Sequence, residues 1–245
     1  MIILIGKRSR LTQALCQKLQ DCKVVSTHGA LNDKKFAGAN KIIISAAITN
    51  PWLAVDEINR INVDLPLSIF ENNPTAEIIT FGTVLEKYED VTNAYVDSKR
   101  MLSEYMLHET HNWKHYRLNT LYGIGEPKKH MFLSDLLCSI RSKSMFEMST
   151  GQQTREYHHY CDVAAILKSE LVTKKYGVLE ISNGNPISLF NLAQGVIDHL
   201  GCPISIVRNQ KAKDTVSKSN NKVYNSDKFR EPIAGVADYF KGLLS

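Results

Sequence analysis

Met1-Ile2-Ile3-Leu4-Ile5-Gly6-Lys7-Arg8-Ser9-Arg10-Leu11-Thr12 opens with an apolar β-branched run, a single glycine and a basic turn. Apolar residues at helical spacing follow. Ile2–Ile5 reads as a strand and Leu11–Leu19 as the helix after it. The alternation continues outward from this unit. Strands are expected at Lys23–Ser26, Lys41–Ser45, Glu77–Phe81 and His115–Leu118, and helices at Val55–Glu71 and Tyr95–Thr110. Short continuous apolar runs separated by helices imply a parallel sheet covered on both faces. The fold class is therefore α/β, an open doubly wound parallel sheet. Ligands of such sheets bind beyond the carboxyl ends of the strands.

After about Gly125 the rhythm loosens. Polar segments appear at Ser149–Arg155 and Arg208–Asn221, the second rich in Lys, Ser and Asn and expected to be disordered. Between them lie a strand-like Tyr176–Ser182 and a helix, Ser188–Leu200, preceded by Pro186, capped by Ser188 and closed by Gly201. The expected division is a sheet lobe over 1–125 and a small C-terminal α+β lobe over 126–245, partly interleaved with the first. No internal repeat is evident.

The 245 residues are 43% hydrophobic and 22% charged, which sets aside disordered, collagen-like and disulfide-scaffold classes. A net charge of +5 is too weak to imply nucleic acid but suits an anionic small ligand. No apolar run approaches the ~20 residues of a membrane span, and the N-terminus lacks the pattern of a signal peptide. Cys16, Cys22, Cys138, Cys161 and Cys202 are scattered and odd in number, the usage of buried cytosolic thiols. The expectation is a cytoplasmic protein with no metal and no membrane partner.

In a dinucleotide fold the turn after the first strand carries glycines so that the backbone can approach a pyrophosphate. Here Gly6 is the one glycine, and Ser9 and Thr12 stand where a GxxGxxG pattern has the others. Lys7, Arg8 and Arg10 oppose the dipole of the next helix unless an anion lies among them; the plain alternative is a solvated basic turn. The second strand ends Val24-Val25-Ser26-Thr27-His28, without the acid that NAD binders place on the ribose. A 2′-phosphate, and so NADP(H) in preference to NAD(H), fits this end better.

Tyr95-Val96-Asp97-Ser98-Lys99 puts a phenol and an ammonium on one helix face. The cation favours the phenolate and makes Tyr95 usable as an acid or base near neutral pH. Tyr224 and Lys228 repeat the spacing, but after the polar segment rather than after a strand.

Read in order, the chain resembles the extended short-chain dehydrogenase/reductase family, in its nucleotide-sugar epimerase, dehydratase and reductase branch. The collinear pieces are Ile42-Ile43-Ile44-Ser45-Ala46-Ala47, Asn59-Arg60-Ile61-Asn62-Val63, Gly82-Thr83-Val84-Leu85-Glu86, Tyr95/Lys99, Arg117 to Pro127, and Gln153 to Ala164. The resemblance implies a Rossmann-like sheet. It makes Thr83, Tyr95 and Lys99 catalytic, with Thr80 a second hydroxyl close by. It implies a cofactor site at Gly6, Lys7, Arg8, Ser9, Arg10, Leu11, Ala46, Ala47, Ile48, Asn62, Tyr95, Lys99 and Leu121. Thr83, Asn119, Thr120 and Arg155 would hold a nucleotide sugar, Arg155 through its diphosphate. The dehydratase subgroup has Asp-Glu after its catalytic Thr, whereas Val84-Leu85 follow Thr83 here, so simple redox at a sugar carbon remains. The expected function is an NAD(P)H-dependent reductase of a nucleotide-linked 4-keto-6-deoxysugar in surface polysaccharide synthesis. Alternatives are a nucleotide-sugar epimerase and a redox-silent NAD(P)-binding regulatory protein.

Plainer readings stand beside these. Arg155 is either a diphosphate ligand or the ion-pair partner of Glu156. His158 and His159 point to opposite faces of a strand, one inward and one outward. Trp52 and Trp113 read as packing residues. Leu102 and Met106 read either as core or as a homodimer face.

Overall fold

The computed structural model describes residues 1–108, 112–129, 131–209 and 226–245. In chain order the first half carries β1 (Ile2–Ile5), α1 (Arg10–Cys16), β2 (Cys22–Val25), α2 (Thr27–Asn32), β3 (Lys41–Ile44), α3 (Val55–Asn59), α4 (Leu65–Asn72), β4 (Glu77–Thr83), α5 (Ala94–His108) and β5 (Trp113–Leu118). Then come β6 (Thr120–Tyr122), α6 (Phe132–Ser142), β7 (Phe146–Met148), β8 (Thr154–Arg155), β9 (Tyr157–His159), α7 (Tyr160–Glu170), β10 (Gly177–Glu180), β11 (Ile187–Ser188), α8 (Leu189–Leu200), β12 (Ile206–Arg208) and α9 (Pro232–Leu244).

Six strands form one sheet in the order β10-β5-β4-β3-β1-β2, every pair parallel. Strand order reverses between β1 and β3, so the chain winds outward in both directions from that seam. Such a reversal opens a crevice at the carboxyl ends of the two strands. Ile3, Leu4 and Ile5 are fully buried, as are Ile42 and Ile78, because both sheet faces are covered. Along one face Ile3, Ile5, Ile42, Ile44 and Ile78 pack with Leu65, Ile69, Leu102, Met106 and Trp113.

The chain divides into two compact units, Met1–Leu118 with Ala164–Ile181, and Asn119–Val163 with Ser182–Ser245. The expected border at 125/126 leaves the sheet too late at one end and too early at the other. β10 is the reason. Its backbone pairs with β5, from Gly177 beside Lys114 to Glu180 beside Arg117, which returns this strand to the main sheet. The second unit has its own core, in which Leu136, Leu192, Ala193, Val196, Val236, Ala237 and Phe240 meet around Tyr157. α8 begins after Ser188, whose hydroxyl accepts from the Asn191 amide, and ends at Gly201 in the left-handed conformation.

The expected helix Val55–Glu71 is three segments. A π turn, Arg60–Asp64, separates α3 from α4. Of the expected helix Tyr95–Thr110 and the polar segment Arg208–Asn221, positions 109–110 and 210–221 lie outside the described residues, as does Tyr224. Leu102 and Met106 are buried against the sheet, so they are core residues rather than an exposed face. Trp113 is buried as expected, but Trp52 is 89% exposed in the loop after β3 and packs no core. Among the described residues no helix is long and apolar enough to cross a membrane.

Candidate active site

The carboxyl edge of the first unit's sheet gathers the turns after β1, β3 and β4. Gly6 has φ +114°, and a Cβ placed on it would lie 2.7 Å from the Ala46 amide nitrogen. Only glycine allows the first turn to approach the turn after β3 this closely. Where the pattern has its third glycine, the buried Thr12 instead exchanges a hydrogen bond with the Ser45 hydroxyl, which also donates to the Ile5 carbonyl at 3.1 Å. A polar pair thus holds helix and strand together. Ser9 is the residue before α1 and makes no side-chain cap; Leu11 is buried, Arg10 half-buried, and Lys7 and Arg8 exposed. After β3, Ala46 is buried, Ile48 half-buried and Ala47 exposed.

Asn62 sits in the π turn and is fully buried. Its Oδ1 accepts from the Ile48 amide at 2.9 Å, while its Nδ2 donates to the Ile48 carbonyl and the Ser98 hydroxyl, each at 2.9 Å. Ser98 in turn donates to the Tyr95 carbonyl at 2.7 Å. One amide side chain therefore ties the loop after β3 to the first turn of α5. A π turn widens the helix locally and re-aims a side chain, and such turns recur at functional sites.

α5 starts beyond Asn93, whose side chain accepts from the Val96 amide at 3.0 Å. Tyr95 is half-buried near its start, and Lys99, four residues on, lies on the same face and is 4% exposed. Burial pulls the Lys99 ammonium down to about 8, and the charge of Glu86 opposes that fall. Thr83 ends β4 and opens a short 3₁₀ turn over Val84–Lys87. Its hydroxyl accepts from the Leu85 amide at 3.3 Å, while the Glu86 carboxylate accepts from the Thr83 amide at 2.6 Å. Together these bonds make a reciprocal capping box.

Glu86, His115, Arg117 and Arg100 are additional participants. The Glu86 carboxylate is buried and accepts from Arg117 Nε at 3.0 Å, with His115 Nε2 3.4 Å away. Arg100 donates to the carbonyls of Glu86, Tyr88 and Val91, which fixes the loop between Thr83 and α5. Thr83-x-x-Glu86 is a legible capping-box spacing, and His115 and Arg117 share one face of β5 by strand alternation. Thr80 faces the interior instead, where it accepts from Trp113 Nε1 at 3.0 Å and lies 2.8 Å from His115 Nδ1. It is not a second hydroxyl of the site.

Asn119, Thr120, Leu121 and Arg155 belong to the second unit. β6 and β9 pair in parallel, with Thr120 beside Tyr157 and Leu121 beside His158, and the Thr120 amide donates to the Glu156 carbonyl at 3.2 Å. Arg155 is half-buried and makes no ion pair among the described residues. Glu156 points elsewhere: it accepts from Ser182 Oγ at 2.7 Å, the Asn183 amide at 2.8 Å and His158 Nε2 at 3.0 Å. Burial would raise its carboxyl, but these bonds hold it below the usual carboxylate range. The ion-pair reading of Arg155 therefore fails. His158 is buried and His159 half-buried, as strand alternation requires.

No family model and no curated protein sequence matches the chain. Solved structures do. A UDP-N-acetylglucosamine 4-epimerase of Methanobrevibacter ruminantium is 14% identical with a TM-score of 0.78, over 99% of this chain and 97% of that one. A dTDP-4-dehydrorhamnose reductase ortholog from Clostridium acetobutylicum is 16% identical with a TM-score of 0.77, over the whole of both chains. The dTDP-4-dehydrorhamnose reductase of Bacillus anthracis, solved with NADP, is 15% identical with a TM-score of 0.74, over 98% of each. The chain shares its fold with these nucleotide-sugar epimerases and reductases, the fold that its resemblance to the extended short-chain dehydrogenase/reductase family implies.

Proposed function

We propose that the chain is an NAD(P)H-dependent reductase of a nucleotide-linked 4-keto-6-deoxysugar, with NADP(H) preferred. Lys99 is the observation that carries this reading. Lys99 is 4% exposed on the helix face it shares with Tyr95, and burial pulls its ammonium down to about 8 against the opposing charge of Glu86. Burying a charge is costly, and such perturbed groups concentrate at functional sites.

The residues present fit a dinucleotide. Gly6 keeps the first turn low against Ala46, and the Lys99 ammonium has donors for ribose hydroxyls. When bound, the reduced nicotinamide supplies hydride to the carbonyl carbon. Tyr95 gives its phenolic proton to the carbonyl oxygen, and the cation four residues away stabilises the resulting phenolate. The Thr83 hydroxyl accepts from the Leu85 amide, so its own proton is available to the same oxygen. Arg155, in no ion pair among the described residues, is suited to the diphosphate of the sugar nucleotide, and Asn119 and Thr120 to its sugar.

The test is to mix purified protein with NADPH or NADH and a panel of nucleotide 4-ketosugars, and to follow cofactor absorbance. Stoichiometric NADPH consumption is expected. Tyr95→Phe should lower kcat by about 10²–10⁴-fold while leaving the cofactor Kd nearly unchanged. Sugar interconversion without net consumption would make the protein an epimerase. Cofactor binding without turnover on any sugar would make it redox-silent. An active Tyr95→Phe enzyme would overturn the mechanism.

A further inference from the structure

The corner between β8 and β9 holds a buried carboxylate that the proposed chemistry does not use. Arg155 ends β8, a two-residue strand whose ladder pairs Arg155 with Ile187 and Thr154 with Ser188 of β11. At Tyr157 the chain has already changed partner and runs beside β6. So short a ladder fixes a strand weakly. Glu156, between the two, is 3% exposed and adds anchors at this point. Its Oε1 accepts from the Ser182 hydroxyl at 2.7 Å, and its Oε2 accepts from the Asn183 amide at 2.8 Å and from His158 Nε2 at 3.0 Å, with Asn119 Nδ2 3.5 Å away. The Glu156 carbonyl accepts from the Thr120 amide at 3.2 Å. The turn that the carboxylate grips is itself braced: the Gly184 amide donates to Ser182 Oγ at 3.2 Å, and the Asn185 amide to Asn183 Oδ1 at 2.9 Å. That turn leads into β11, the strand that pairs with Arg155. Glu156 thus closes a ring of contacts around Arg155: side chain to turn, turn to β11, and β11 back to the Arg155 backbone. Burying a carboxylate is costly, and these donors offset the cost.

We propose that Glu156 is a positioning residue: it sets the place of the Arg155 backbone, and so aims the guanidinium that takes the diphosphate of the sugar nucleotide. For the ligand of Arg155 the inference rests on the reductase reading above. A guanidinium grips a diphosphate through a fixed fork of donors, so its affinity depends on where its backbone is held. Charge alone would act the other way. A carboxylate beside Arg155 repels a second anion, so a purely electrostatic Glu156 would weaken diphosphate binding, and removing it would strengthen that binding. Positioning predicts the opposite sign.

The measurement is isothermal titration calorimetry of the intact protein with UDP, dTDP, GDP and ADP, and separately with NADP⁺. Glu156→Ala removes the carboxylate bonds and should weaken the best-bound nucleoside diphosphate about tenfold. Glu156→Gln should stay within about threefold of the parent, because its amide oxygen can still accept from Asn183 and His158 while its amide nitrogen donates to Ser182 Oγ. Arg155→Gln tests the diphosphate reading by itself. In the Arg155→Gln/Glu156→Ala double variant the loss should be no larger than in Arg155→Gln alone, since one residue acts through the other. Tighter binding in Glu156→Ala, losses that add in the double variant, or equal losses in Glu156→Ala and Glu156→Gln overturn the inference. A parallel loss of NADP⁺ affinity overturns it too, because it marks a general loosening. If none of the four nucleotides binds, or if Arg155→Gln binds as the parent does, the diphosphate reading fails and the inference with it. If Glu156→Ala folds poorly, Ser182→Ala decides. It removes one bond of the carboxylate and should weaken the nucleotide about threefold in the parent, but not at all in Arg155→Gln.

Discussion

At Lys99 burial and charge oppose each other, and the imbalance is a property of one side chain. Its ordinary value of 10.5 falls to about 8 because desolvation penalises the ammonium, with Glu86 only partly compensating. Between those values the unfolded chain binds more protons than the folded one, so this group adds stability as pH rises from about 8 to 10.5. Below 8 the full penalty applies, on the order of 3 kcal/mol. Lys99→Met keeps the length of the side chain and removes the charge. It should therefore be more stable than the parent at pH 7, and the gain should shrink towards pH 10. Urea denaturation at both values measures this. A variant that is less stable at pH 7 would show that the ammonium has a partner inside the folded protein. The same variant should lose cofactor affinity, which separates stability from function at one position. Tyr95 and Lys99 were legible in the sequence because their spacing is fixed by the helix repeat. The penalty on Lys99 was not, since it depends on what α5 packs against.

Among the elements, the π turn between α3 and α4 does most to connect the site. It turns Asn62 inward, where three hydrogen bonds join the loop after β3 to α5. Asn62→Ala would leave the Ile48 amide and carbonyl unpaired beside a buried hydroxyl. Each lost bond contributes about 1 kcal/mol, so the variant should be destabilised by about 2–4 kcal/mol. Ser98→Ala removes one of these bonds and the Ser98 bond to the Tyr95 carbonyl, and should cost about 2 kcal/mol. A smaller loss in Asn62→Ala than in Ser98→Ala, measured by urea midpoint, would show that the Ile48 bonds carry no weight. The strand and helix types of the first unit were legible because continuous apolar β-branched runs alternate there with stretches of helical period. The π turn was not, since Val55–Glu71 has one continuous helical pattern and the extra residue leaves no periodic trace. The Glu86 network was half legible: Thr83-x-x-Glu86 carries the capping signal, but the approach of His115 and Arg117 depends on the β4–β5 register, Thr80 beside His115 and Gly82 beside Arg117.

For the whole molecule, the division into two units decides how stability is distributed. β10 is where the two units interleave: a four-residue strand after a loose stretch of sequence, it pairs with β5. The core of the second unit rests heavily on α9, where Phe240 is fully buried in one cluster with residues of α8. Truncating Phe240 to alanine leaves a cavity that rigid neighbours cannot fill, at a cost of about 3–5 kcal/mol. Because the two clusters share no residues, the loss should fall first on the second unit. In hydrogen exchange of Phe240→Ala, amides of α8 and β9 should lose protection, while those of β1, β3 and β4 keep theirs. The turn at Gly6 and the Tyr95/Lys99 face lie in the sheet unit, so cofactor binding should survive the substitution. Turnover should fall if Arg155, Asn119 and Thr120, which belong to the unit that loosens, hold the sugar nucleotide as proposed above. Loss of protection spread evenly over both units would mean that they unfold as one cooperative body, and that the sheet unit depends on α9 for its own stability.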